Sequence, residues 1–418
     1  MTGLPLPVGA KALGPVPAGY GCVGGELAIG GTRISELVER AGGTPAFFYS
    51  RSLIEQRVAE LRAALPDGLR INYAVKANPF PPVVEALKNL VDGFDIASAG
   101  ELAIVRSAGV DPSRVSFAGP GKDDAELAAA IAAGVTVNIE SEGELRRALL
   151  IAARTGQKVR AALRVNPDFT LRGSGMKMGG GAKPFGIDAA KVPDVARVLL
   201  ASPAAEFRGL HIFTGSQALD ADAVIAMQRS VLELAGKLAA EIGQPLPMLN
   251  MGGGFGVPYF AGDLPLQLHA VGEALADALD DRPALLRQTA LHIELGRYLV
   301  AEAGVYVTRI LDRKVSHGEV FLVTDGGLHH QLAASGNFGT VVRRNYPVMI
   351  ASRCGQEPSE VASIVGRLCT PLDRLADNGW FPSAQPGDLV AVFCAGAYGA
   401  TASPALFLGH GPAKEMLI

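Results

Sequence analysis

Eight short β-branched or apolar runs, each followed by an amphipathic stretch rich in Ala, Leu and Glu, limit what this chain can fold into. The runs lie at 71–76, 93–97, 114–118, 135–139, 159–165, 208–213, 247–252 and 290–295. Helical periodicity occupies Glu101–Ser107, Asp124–Ala133, Glu142–Thr155, Ala221–Ile242 and Leu268–Leu279 between them. A β/α alternation builds a parallel sheet, and eight repeats predict an α/β fold closed as a (β/α)8 TIM barrel rather than an open sheet. Beyond Ala303 the rhythm stops. Runs such as Val305–Leu311, Val320–Thr324 and Leu389–Phe393, bounded by Gly, Pro and Asn, predict a C-terminal β-rich domain of barrel or sandwich type. The expected division is an N-terminal segment over 1–45 packing on the β domain, a barrel over 46–302, and the β domain over 303–418.

With 418 residues, 49% of them hydrophobic, the chain can bury a large core. Its net charge of −3 comes without a basic stripe, which argues against a nucleic-acid partner. No apolar run is long enough to cross a bilayer, so a soluble protein is expected. Residues 1–30 are rich in Gly and Pro, with neither a basic front nor a continuous apolar stretch, and do not read as a signal peptide. Cys22, Cys354, Cys369 and Cys394 are few and irregularly spaced; this excludes a disulfide framework and a zinc knuckle and fits a reducing cytoplasm. No metal site is expected.

The candidate chemistry lies at the C-terminal ends of the strands, where barrels of this kind place their active sites. The run Ile71-Asn72-Tyr73-Ala74-Val75-Lys76 alternates, and Asn78-Pro79 stops it just past the amine of Lys76. A lysine at a strand end is ordinarily solvated; at a buried rim its pKa falls, as carbonyl chemistry requires. The seventh run ends in Gly252-Gly253-Gly254-Phe255-Gly256 and the eighth in Gly296-Arg297. Backbone N–H groups freed of side chains, next to a guanidinium, suit a phosphate. The sixth ends in His211-Ile212-Phe213-Thr214-Gly215-Ser216, offering a flat ring and a hydroxyl. Glu294 is flanked by apolar residues and needs a partner: Arg297 or Arg164 in a structural ion pair, or the protonated ring nitrogen of a cofactor. A lysine, a phosphate cup, a ring and a buried acid together suit pyridoxal 5'-phosphate. The loop Arg172–Gly186 is long for a βα connection and reads as a lid or a disordered insertion.

These motifs resemble, over nearly the whole chain, the fold-type III pyridoxal-phosphate decarboxylases, which include diaminopimelate and ornithine decarboxylases. The matching segments are Tyr73–Asn78, Phe94-Asp95-Ile96-Ala97-Ser98 with Gly100-Glu101, His211–Gln217, Gly252–Gly256, Glu294–Arg297, Cys369 with Asp373, and Gly396-Ala397-Tyr398, in family order. The resemblance implies that Lys76 carries the cofactor as a Schiff base, His211 stacks on its ring and Glu294 holds the ring nitrogen protonated. Asp95, Ser216, Gly252, Gly253, Gly254, Gly296, Arg297 and Tyr398 complete the cofactor site. It also implies a homodimer in which Cys369 reaches across the interface as a catalytic acid, with Asp325, Arg343 and Asp373 at the substrate.

In diaminopimelate and ornithine decarboxylases an acidic residue follows the cysteine; here Thr370-Pro371-Leu372-Asp373 follows Cys369. That departure, with Gly175–Gly181, Asp325–His330 and Ala334–Gly339, is closer to the biosynthetic-cluster branch that includes acyl-carrier-protein-linked and exosortase-associated enzymes. The expected activity is decarboxylation of an amino acid, carrier-tethered or otherwise derivatised. Its alternatives are a diaminopimelate decarboxylase on the free amino acid and a racemase or epimerase on the same barrel, against which Glu294 and Cys369 argue. A cofactor-storage or regulatory barrel would lack Cys369 and the β domain.

Overall fold

The computed structural model describes residues 5–170, 176–177, 179–336 and 343–418. Parts of the Gly-rich loop (172–175 and 178) and residues 337–339 of the Ala334–Gly339 segment lie outside them. Two compact units form: one from Gln56–Val257 and Pro265–Tyr298, the other from Met1–Glu55, Pro258–Leu264 and Leu299–Ile418.

In the first unit eight parallel strands follow in turn: Arg70–Ala74, Gly93–Ile96, Val115–Phe117, Thr136–Ile139, Val159–Asn166, Ala205–Ile212, Met248–Gly253 and Ala290–Leu295. Ala290–Leu295 pairs with Arg70–Ala74, and Thr136–Ile139 with Val159–Asn166, so the sheet closes into the expected barrel. The helices begin and end where local chemistry dictates. Ser98, Asp123, Ser141 and Asp220 each cap a helix start with a side-chain oxygen, and Asp123 with Glu126 forms a reciprocal capping box. Gly134, Gly156 and Gly243 end three of these helices in left-handed conformation.

The barrel interior is unusual for its architecture. Barrel cores are dominated by bulky aliphatic side chains, yet each strand here contributes a buried polar one: Asn72, Asp95, Ser116, Asn138, Arg164, His211, Asn250 and Glu294 in strand order. Buried polar groups are retained where hydrogen bonding or chemistry compensates their desolvation.

The second unit is a mixed sheet running Val348–Ile350, Leu389–Val392, Gly304–Ser316, Glu319–Thr324, Glu360–Val365, Arg374–Phe381 in spatial order. The sequence reading starts the barrel at residue 46, but Ala46–Tyr49 pairs antiparallel with Gly304–Val307 and parallel with Lys414–Leu417, so this strand belongs to the second unit. The apolar run Ala46-Phe47-Phe48-Tyr49 is fully buried; Ala46 and Phe48 pack with Leu27, Ile34, Val305 and Phe393 in this unit's core. Cys22 and Cys354 form a disulfide with Cα atoms 5.7 Å apart, inside the usual range. Their separation of 332 residues hides the pairing from any spacing rule, and the cysteine argument for a reducing compartment loses its support. Among the described residues no helix is long and apolar enough to cross a membrane.

One barrel histidine makes the fold acid-sensitive. His292 Nδ1 lies 3.2 Å from Asn72 Oδ1, and burial, aided by the charge of Arg70, pushes its pKa down from 6.5 to about 4. It is neutral when folded, whereas the unfolded chain protonates it below its ordinary pKa. The stability it protects is therefore present above pH 6.5 and lost as pH falls from 6.5 towards about 4. Urea unfolding should show a loss of up to about 2 kcal/mol between about pH 7 and pH 5 that His292→Gln largely removes. An identical pH slope in the variant would refute this.

Candidate active site

The first barrel strand ends at Ala74, and Val75–Ala77 forms a 3-10 turn that presents Lys76 at the strand's C-terminal end. Just beyond, the Tyr73 hydroxyl donates to Asn78 O at 2.9 Å, and Asn78 Oδ1 accepts from Phe80 N at 3.0 Å. Contrary to the expected buried rim, the Lys76 side chain is 42% exposed. Electrostatics rather than protein desolvation defines its setting: Nζ lies 3.7 Å from Glu294 Oε1 and 5.8 Å from the centre of the Phe213 ring.

Glu294, buried on the eighth strand, is the electrostatic centre. Its Oε2 lies 3.3 Å from His211 Nε2 and 3.3 Å from Asn250 Nδ2, while Oε1 faces Lys76. Arg164, a possible structural partner by sequence, is instead bonded to Glu140 at 2.8 Å. Burial alone would raise the Glu294 pKa, but the Lys76 charge, then the His211 hydrogen bond, more than offset it and hold the carboxyl well below its usual range. Asp95 behaves oppositely. Burial first, then the Glu294 charge, push its pKa well up, although the Ser116 hydroxyl donates to it at 2.7 Å. Two nearby acids driven apart in this way divide the roles of proton holder and fixed anion. Burial pushes the His211 pKa down and favours a neutral ring.

Beside Glu294 lies a cradle of glycines. Gly252 and Gly254 adopt φ of +67° and +74°, and a Cβ on Gly252 would come 2.9 Å from the Ile212 carbonyl. A Cβ on Gly253 would collide with the Glu294 carbonyl. The loop is latched to the segment after the sixth strand: Ala218 N donates to Gly254 O at 2.9 Å and Gly256 N to Ala218 O at 2.8 Å. Ser216 lies two residues before the latched Ala218, its backbone paired with Met176. The Gly252 N–H is committed to Asn250 Oδ1 at 2.9 Å, so Gly252 contributes shape rather than a free donor. Gly296 lies against Ala74 and Ala77, which brings Arg297 to the same end of the barrel. Among the described residues His211 Nδ1 is buried without a hydrogen-bond partner. An amine facing a fixed carboxylate, a cradle free of side chains and a flat ring beside that carboxylate fit a phosphorylated aromatic aldehyde.

The network at the third to fifth strands escapes sequence reading. Glu140 accepts from Arg164 at 2.8 Å, Gly119 N at 2.6 Å and Gly186 N at 3.1 Å. Lys122, buried, reaches Gly119 O, Asn138 O and Glu144 Oε1 at 2.6, 3.0 and 2.7 Å. The only local signal is an acid immediately before the Ser141 helix cap. Asn250, two residues before the glycine run, was likewise missed as the residue bridging Glu294 to the cradle.

In the second unit Cys369 is an exposed free thiol, in a turn where Thr370 N donates to Leu368 O at 2.8 Å. Tyr398 has φ of +54°, sparsely populated for a non-glycine residue and of the kind that clusters at functional sites. Asp325 accepts from Thr44 Oγ1 at 2.5 Å, Thr308 Oγ1 at 2.6 Å and Arg309 N at 2.9 Å. Asp373 accepts from Leu328 N at 2.7 Å and Leu368 N at 2.9 Å, and a Cβ on Gly327 or Gly366 would strike its carboxylate. Both acids are structural anchors rather than open substrate ligands. Arg343 Nη2 lies 3.5 Å from Leu372 O, close to the same turn.

Comparison with known proteins matches this arrangement. Residues 51–301 match the family of pyridoxal-dependent decarboxylases at its pyridoxal binding domain. An L-glutamyl-[BtrI acyl-carrier protein] decarboxylase of Niallia circulans is 36% identical over 90% of this chain and 88% of its own. A diaminopimelate decarboxylase of Aquifex aeolicus is 32% identical over 90% and 86%. The crystal structure of diaminopimelate decarboxylase from Helicobacter pylori with L-lysine superposes with a TM-score of 0.82 at 26% identity, over 92% of this chain and 94% of that one. With its closed barrel and separate β domain, this chain belongs to the fold-type III pyridoxal-phosphate-dependent amino-acid decarboxylases.

Proposed function

We propose that this decarboxylase removes the α-carboxylate of an amino acid whose far end is tethered to a carrier protein or otherwise derivatised, and that it works as a homodimer with shared sites. The observation that carries the site assignment is the Lys76–Glu294 approach of 3.7 Å beside the glycine cradle. In this reading Lys76 holds the cofactor covalently, His211 offers its ring face, and Glu294 pairs with the ring nitrogen. Gly252, Gly253, Gly254, Gly296, Arg297 and Ser216 enclose the phosphate, and Tyr398, like Cys369, joins across the dimer interface. Asp95, whose pKa is pushed up by burial and by Glu294, serves as a hydrogen-bonding wall. Pyridoxal phosphate, when bound, supplies the sink for the electron pair released with carbon dioxide. Cys369 returns the proton to the reacting carbon, and its exposure in the single chain suits a group delivered to a partner's site. The tethered substrate is supported by the likeness to the acyl-carrier-protein-linked glutamyl decarboxylase and by Thr370-Pro371 after the cysteine.

Glu294→Gln should keep the cofactor, read from its visible absorbance, but lose about two to four powers of ten in kcat, as when a fixed partner to developing charge is removed. Near-normal turnover would defeat the role given to Glu294. Mixing inactive Lys76→Ala with inactive Cys369→Ala should recover up to about a quarter of wild-type activity after random exchange, because half of the dimers then hold one intact site. Proven exchange without recovery would place both residues in one chain's site.

A further inference from the structure

Among the described residues, consecutive outer helices of the barrel pack on one another from Pro81–Leu87 round to Leu268–Asp280, with one exception. Glu142–Thr155 and Val192–Ala201 are separated by a groove of about 720 Å³. Buried Leu145 and Val195 line it together with Leu150 and Val198, which are 57% and 58% exposed. A surface helix ordinarily turns its apolar stripe to the core and its polar face to water. Here each helix also carries a large aliphatic side chain outward, and the two line one groove instead of lying scattered over the surface. Such a groove can bury the apolar face of a third helix.

The charges at the groove are not balanced. Glu142 is answered by Lys191 at 3.6 Å and Asp194 by Arg197 at 2.6 Å. Arg146 and Arg154 are exposed and pair with no carboxylate among the described residues. They stand four residues before and four after Leu150, on the same helix face. The whole chain carries −3, so this excess of cations is local. A ridge of arginine, leucine and arginine complements a helix whose apolar residues are flanked by Asp and Glu, and it repels a basic one.

The groove is also oriented. Both helices run back from the C-terminal ends of barrel strands, so Glu142 and Lys191 mark its end at the barrel face that bears Lys76, and Ser202 and Pro203 its far end. A helix seated in it has one end at the active-site rim, as delivery of a tethered substrate requires. Resting on the reading that the substrate arrives on a carrier protein, we propose that this groove is the docking site for an acidic amphipathic helix of that carrier.

The test uses holoenzyme of the wild type, of Arg146→Glu with Arg154→Glu, and of Leu150→Gln with Val198→Gln. All four positions are on the outer surface, away from the catalytic residues, and an unchanged cofactor spectrum certifies the fold. Carbon dioxide release is measured from a glutamyl thioester of a phosphopantetheinylated acyl carrier protein and from glutamyl pantetheine thioester, which keeps the arm and lacks the protein. Each double variant should lower kcat/KM for the carrier-bound substrate by about 10- to 100-fold, mainly through KM, the range for removing interface anchors or reversing their charges. The pantetheine thioester should be turned over as by the wild type. Raising salt should weaken the wild type's preference for the carrier-bound substrate, and the arginine variant should lose most of that salt dependence. Equal losses on both thioesters, or no loss on either while the wild type still favours the carrier-bound one, overturn the docking site and leave the tethered-substrate reading standing. A wild type that gains nothing from the carrier defeats that reading, and this inference with it. Sedimentation covers the other occupant: a changed oligomeric state in the variants would make the groove a contact between copies of this chain and overturn the proposal.

Discussion

The site depends on a carboxylate placed where carboxylates are least comfortable. Glu294 is 2% exposed, and leaving such a group ionised in a protein interior costs several kcal/mol unless partners compensate. Compensation comes from three directions: the Lys76 ammonium, the His211 ring and the Asn250 amide. Each sits on a different barrel strand or at its end, so the closure of the sheet creates the partnership. The polar lining of the barrel then follows as a consequence. Burial and the same negative charge push the Asp95 pKa up, and Arg164 is drawn instead to Glu140. An apolar barrel of the usual kind would avoid that desolvation cost, but it would leave no fixed anion at the mouth beside Lys76.

What the sequence made legible was local. The β/α rhythm, the Ser and Asp caps and the left-handed glycines follow from neighbours a few residues apart, and the structure reproduces them: Asp124–Ala133, Glu142–Thr155 and Ala221–Ile242 form helices with the bounds read from periodicity. The family order of motifs made the cofactor legible as well. Long-range choices stayed hidden. Ala46–Tyr49 looks like any buried strand, and only pairing with Gly304–Val307 assigns it to the second unit. Arg164 and Arg297 were equally plausible partners for Glu294 until Glu140 claimed the former. The exposure of Lys76 could not be read from its strand, because alternation says which face a residue shares and not how wide the mouth is at its end.

The same distinction explains the substrate acids. Asp325 and Asp373 stand in motifs that suggest ligand binding, yet their oxygens are occupied by Thr44, Thr308 and the backbone of Leu328 and Leu368. An acid's type and position give its potential; only its hydrogen bonds show whether any of that potential is left for a ligand. Arg343, named by the same resemblance, differs from the two acids in that its Nη1 is buried without a hydrogen-bond partner among the described residues.

The account turns on the Lys76 amine, set opposite Glu294, being the covalent anchor of the cofactor. Borohydride reduction of the holoenzyme, followed by proteolysis and peptide mass mapping, tests this directly. The account predicts a pyridoxyl group on the peptide containing Lys76 and on no other; a pyridoxyl group fixed on another lysine, with Lys76 unmodified, would contradict it.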